Sequence, residues 1–142
     1  MQRLCQIVGW ALLSVLLVSG GTMSYLIMTK NPFWTESPLR QHLIPIGHAH
    51  AAGLGIVTLL FGLYLDKVNL PEAVRKWVAV IFLAGVLTLP GGFILSVLKE
   101  GVSEPGKEFL LVPIGGLLLG ISFVTMLIGM LRTKSTDQTT HE

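Results

Sequence analysis

Four stretches of this chain contain no Asp, Glu, Lys or Arg: Leu4–Thr29, Gln41–Leu65, Trp77–Leu98 and Phe109–Leu131. Each exceeds the roughly 20 residues that an α-helix needs to cross about 30 Å of hydrocarbon. In lipid the backbone must satisfy its own N–H and C=O groups, and long continuous apolar runs do so as helices. The expected fold is all-α, a polytopic membrane four-helix bundle over residues 1–132. Its helices are expected at about 4–29, 44–65, 76–98 and 109–131. Residues 133–142 are polar and are expected to form a disordered cytoplasmic tail.

Composition agrees with one membrane domain and leaves no length for a soluble one. Only 13% of the 142 residues are charged, about half the proportion found in soluble domains. A net charge of +2, spread along the chain, excludes a nucleic-acid surface. The single cysteine, Cys5, rules out an internal disulfide and a thiolate metal cluster, and it reads as a small buried hydrophobe. The first stretch, with Arg3 ahead of it and Ser19-Gly20-Gly21 within it, imitates a signal peptide. Signal cores run roughly 7–15 residues, whereas this one stays apolar to Met28, so a retained helix is expected.

The basic residues set the orientation. With the N-terminus inside, Arg3, Lys67, Arg75, Lys76, Arg132 and Lys134 are cytoplasmic, and Lys30, Arg40, Lys99 and Lys107 face outward. The excess favours a cell-membrane protein with both termini cytoplasmic. Phe33 and Trp34 suit the outer interface, and Tyr64 and Trp77 flank the inner loop.

Within the spans, chemistry is concentrated at the head of the second: Pro45-Ile46-Gly47-His48-Ala49-His50. An ionisable side chain in a bilayer is a functional-site hypothesis by default. Pro45 suits a first helical position, which would put both histidines in the first two turns, near the outer face, with His42 in the loop before them. Residues two apart on a helix diverge by about 200°, so His48 and His50 do not share one metal ion on a regular helix. The spans contain no acidic residue, so a proton relay has no members. A bilayer and a nearby helix N-terminus both favour uncharged imidazole, the form that ligates iron, copper or zinc. Haem suits such a place, since it asks for one or two axial imidazoles and an apolar slot, and Arg40 and Lys30 could meet its propionates. The plainer alternatives are histidines that bond a carbonyl or a neighbouring side chain, and an Arg40 that is a solvated loop residue like Glu36. Thr88, Ser96 and Ser122 read as hydroxyls satisfied within their own helices.

The third span carries Leu89-Pro90-Gly91-Gly92, where a kink is expected. Ala49-xxx-Gly53, Ala51-xxx-Gly55 and Gly116-xxx-Gly120 are small-residue pairs that permit close helix approach, within one chain or between protomers.

The order of spans, the stretch Gly47-His48-Ala49-His50-Ala51-Ala52-Gly53-Leu54, Gly92-Phe93 and the outer-loop Glu104-Pro105-Gly106 together resemble the styrene-oxide isomerases. That resemblance implies a trimer of four-helix membrane protomers that binds haem b between them, with His50 as axial ligand. The chain departs from the family at two positions. Ile56 stands where the family has an asparagine, and Ile94 where it has a tyrosine, departures that bear on epoxide positioning and are compatible with a haem site. A looser resemblance is to four-helix proteins with a His-x-His head on the second helix that look like fragments of haem–copper oxidase subunit I. The fourth span here lacks the histidine that a second haem ligand would need.

The leading expectation is thus a haem b-binding membrane protein resembling epoxide isomerases, its substrate unassigned but small and apolar. The cofactor-binding candidates are His50, His48 and Arg40, and the metal-ligating candidates His50, His48 and His42. The expected partners are the lipid bilayer and further copies of the chain. The alternatives are a non-catalytic membrane subunit or scaffold with structural histidines, and a copper- or zinc-binding protein at the outer face.

Overall fold

The computed structural model describes residues 1–99 and 104–137, the last five by backbone alone. Among these residues there is no strand. The helices are α1 (Gln2–Met28), α2 (Pro32–Thr35), α3 (Pro38–Tyr64), α4 (Glu72–Leu95) and α5 (Leu111–Asp137), with a 3₁₀ turn at Lys107–Leu110. Four of the helices are long and apolar enough to cross a membrane. The expected all-α membrane four-helix bundle is therefore the observed architecture. α5 runs into the segment expected as tail, and residues 138–142 lie outside the described residues.

The second spanning helix corrects an expectation. It starts at Pro38, with Pro45 inside it, because Ser37 caps it: the Ser37 hydroxyl accepts from the Arg40 N–H at 3.3 Å, and Pro38 takes the first helical position. Pro45 costs one ladder bond, to the carbonyl of Gln41, without ending the helix. His42 is consequently a helical residue, exposed on α3, and not part of a loop. His48 and His50 lie about 15–18 Å along the helix from Pro38 at 1.5 Å per residue, deeper than expected. At that depth the α3 N-terminus is too remote to act on them, since its field fades within the first turn. In α4 the helix likewise continues through Pro90 and both glycines to Leu95.

Successive spanning helices form the contacts: α1 against α3, α3 against α4, and α4 against α5. One end of this row carries Lys30, Arg40, Lys99 and Lys107, and the other Arg3, Lys67, Arg75, Lys76 and Arg132. The core lies in the latter half, around the stacked rings of Phe61 and Phe82 (3.9 Å apart) and the edge-on contact of Phe82 with Phe123. Cys5 is fully buried in that core. Thr88, Ser96 and Ser122 each donate to a carbonyl three or four residues back, at 2.9 Å.

Close approach uses some of the expected small residues and not others. A Cβ on Gly9 of α1 would sit 3.0 Å from the Gly55 carbonyl of α3. At the α4–α5 crossing the contact residue is Gly115, where a Cβ would fall 2.5 Å from the Leu89 nitrogen. Gly53, Gly116 and Gly120 have open space where a Cβ would go. Adjacent glycines should therefore respond differently. Gly115→Ala should cost about 2–3 kcal/mol because backbone must move, whereas Gly116→Ala should change stability by less than about 0.5 kcal/mol. Unfolding in mixed detergent measures both, and equal effects would contradict this packing.

Candidate functional site

α3 presents its two buried-depth histidines on different faces, as the helical angle requires. His50 points out of the bundle. Its Nδ1 lies 2.9 Å from the Ile46 carbonyl one turn back, and its ring stacks on Phe93 of α4 at 5.3 Å between centroids. A carbonyl can only accept, so Nδ1 carries the hydrogen and, in neutral imidazole, the Nε2 lone pair is left free. This is the arrangement that orients metal-bound histidines, where the second ring nitrogen donates to a carbonyl or carboxylate. Beside the ring is a shallow recess of about 330 Å³, lined by Ala49, His50, Gly53 and Leu54. Gly53, with nothing within 4 Å of its missing Cβ, leaves the recess bare one turn along from the ring. Phe93 is itself braced edge-on by Phe109 at 5.7 Å, so the stacking partner is held from α5's side of the molecule.

His48 turns inward. Its Nδ1 is 3.2 Å from the Ser19 hydroxyl of α1, and its ring borders an apolar cavity of about 300 Å³ between α1, α3 and α4. The contact joins α1 to α3 by side chains, beside a bond of the same Ser19 hydroxyl to the Leu16 carbonyl of its own helix at 3.2 Å. Gly47, the residue before it, is where α3 meets α4: a Cβ there would lie 3.1 Å from the Pro90 carbonyl and 2.9 Å from Ile94. Ile94 thus packs against α3.

Arg40 is not a solvated loop residue. It is 4% exposed, in the first turn of α3, and its guanidinium bridges two separate segments. Nε donates to the Val97 carbonyl at 2.8 Å, one terminal nitrogen to the Phe33 carbonyl at 3.0 Å, and the other to the Lys99 carbonyl. The charge also lies over the Phe33 ring, 4.4 Å from its centre. Val97 and Lys99 follow the C-terminus of α4, where carbonyls lack helical partners and negative partial charge accumulates. The arginine therefore clamps the α4 end to α2 and α3. A propionate approaching it would meet a buried group with three of its donors already committed to carbonyls.

Among the described residues no three His, Cys, Asp or Glu side chains group as metal ligands. His42, on the exposed side of the first turns of α3, is not joined to His48 or His50 by any such group. Three features escape a reading of the residues alone: the Ser19 partner of His48, the Phe93 stack on His50, and the Arg40 clamp. The first two depend on how neighbouring helices are rotated. The third had a local signal in Ser37-Pro38, a cap followed by a first-turn proline, which moves Arg40 from loop to helix. Compared with family models, curated proteins and solved structures, the chain matches none of them.

Proposed function

We propose that this is an integral-membrane haem b-binding protein in which Nε2 of His50 supplies an axial ligand at a contact between protomers. The observation that carries the reading is the His50 ring itself. Its Nδ1 hydrogen is engaged by Ile46, its ring stacks on Phe93, and the exposed side chain lines the recess at Gly53. That donor set fits a haem iron, for which one imidazole with a fixed tautomer suffices. The recess belongs to one helix face of one chain, so a macrocycle there would take its other wall from a second copy. The open faces at Gly116 and Gly120 on α5 are compatible with such a copy, and a trimer is the assembly by analogy with the isomerases. When bound, haem would supply Lewis-acid or redox chemistry. The chain's own share is to hold the imidazole, exclude water with apolar walls and admit small apolar molecules from the bilayer.

Haemin added to purified protein in mild detergent should produce a saturable Soret band at a fixed ratio to protein, on an oligomeric species. Protein that stays monomeric and gives only the spectrum of free haemin in detergent would leave His50 a structural residue, capped by Ile46.

We place the protein in the cell membrane with both termini in the cytoplasm, on the bias of Lys and Arg between the two ends. With Cys5 replaced by Ala, a cysteine at Glu104 should react with an impermeant maleimide added to intact cells, and one at Asn69 only after lysis. The reverse pattern would invert the orientation.

A further inference from the structure

The cavity at His48 adjoins a larger one of about 600 Å³ that continues towards the α2 end of the molecule. The two share Val15, Ser19, Met23 and Ile44, and the outer one is walled by Phe33, Trp34 and Leu98. The walls are apolar, and the small hydroxyls near them are spent: Ser14 donates to the Trp10 carbonyl at 2.9 Å and Thr22 to that of Val18 at 3.0 Å. The ionisable group lining the cleft is His48.

The state of that imidazole follows from its neighbour. The Ser19 oxygen lies 3.2 Å both from the Leu16 carbonyl and from Nδ1 of His48; with its single hydrogen on the carbonyl, the oxygen accepts towards His48 and Nδ1 is the donor. Nε2 of the neutral ring is then an acceptor, and it makes no hydrogen bond among the described residues. Gly20 flanks that edge of the ring: a Cβ there would stand 3.6 Å from Nε2. A half-buried imidazole with one lone acceptor on an apolar cleft matches a ligand with one donor and an otherwise apolar body.

We propose that the cleft between α1, α3 and α4 binds a small lipophilic alcohol or phenol, whose hydroxyl donates to Nε2 of His48. Ser19 is a positioning residue that sets the tautomer. The site is on the opposite face of α3 from His50 and does not depend on haem.

The test uses 4-bromophenol and 4-bromoanisole, similar in shape but differing in the donor, with bromine quenching the fluorescence of Trp34 in the cleft wall. Trp10 and Trp77, both exposed, are replaced by Phe so that Trp34 alone reports. Quenching by 4-bromophenol should saturate, at concentrations about tenfold lower than for 4-bromoanisole, the worth of one buried hydrogen bond. His48→Phe should abolish that difference, and Val15→Phe, which fills the cleft, should weaken both ligands. His50→Ala should leave both unchanged, so a failure of the haem proposal does not carry over to this one. Equal affinity for the two compounds would overturn the proposal and leave a cleft filled by lipid acyl chains. Quenching that rises without saturation, as in detergent alone, would also overturn it, and so would a preference for the phenol that survives His48→Phe. The comparison of the two compounds needs no change at His48, so it stands even if His48→Phe does not fold.

Discussion

His50→Ala is expected to abolish the Soret band of haemin-loaded protein, while His48→Ala retains most of it. The asymmetry comes from the two faces of α3. His50 holds its ring between the Ile46 carbonyl and Phe93 and is exposed. His48 holds its ring against Ser19 inside the cleft. Among the described residues no other imidazole is placed to substitute, since His42 lies two turns earlier on α3, at about 1.5 Å rise per residue. Phe93→Leu should preserve the band but broaden or shift it, because the stack orients the ligand and does not supply it. Loss of the band in His48→Ala with retention in His50→Ala would move the site to the interior face and contradict the proposed interface.

The largest stability effect is expected at Arg40. Arg40→Met keeps most of the side-chain volume but removes three charge-assisted bonds, which bare the carbonyls of Phe33, Val97 and Lys99. Bonds to charged groups contribute about 1.5–3 kcal/mol each, and some of the carbonyls would be rehydrated at the membrane surface, so a net loss of about 3 kcal/mol is expected. Arg40→Lys should recover only part of it, because an ammonium lacks the planar fork that reaches both segments at once. Equilibrium unfolding in mixed detergent micelles reads the difference. A loss below about 0.5 kcal/mol for Arg40→Met, within the range of ordinary surface changes, would contradict the clamp.

The spans were legible because lipid imposes one severe rule, and uncharged runs of sufficient length obey it visibly. Helix boundaries were less so. Arg40, a charged residue, marked the end of an apolar run, yet it lies in a helix capped by Ser37, with its guanidinium received by the Val97 and Lys99 carbonyls that follow α4. No local pattern announces a partner 57 residues away in the chain. Pro45 misled in the same region: it looks like a helix start, but Ser37 and Pro38 provide a better one seven residues earlier. The divergence of His48 and His50 was legible, since it follows from helical geometry alone. What each ring meets was not, because rotation of α1 and α4 decides whether Ser19 or Phe93 is the neighbour. Among the small-residue pairs, spacing alone could not distinguish Gly55, which touches α1, from Gly53, which faces open space.

Rescue by free imidazole tests most directly whether the His50 imidazole is the ligand. His50→Gly removes the ring and leaves its volume beside the Gly53 recess. The account predicts that this variant binds no haem on its own and regains a saturable Soret band when millimolar imidazole is added, whereas His48→Gly gains nothing from imidazole. If wild-type protein shows a Soret band but His50→Gly keeps it without imidazole, or stays colourless with it while still folded, His50 is not the axial ligand.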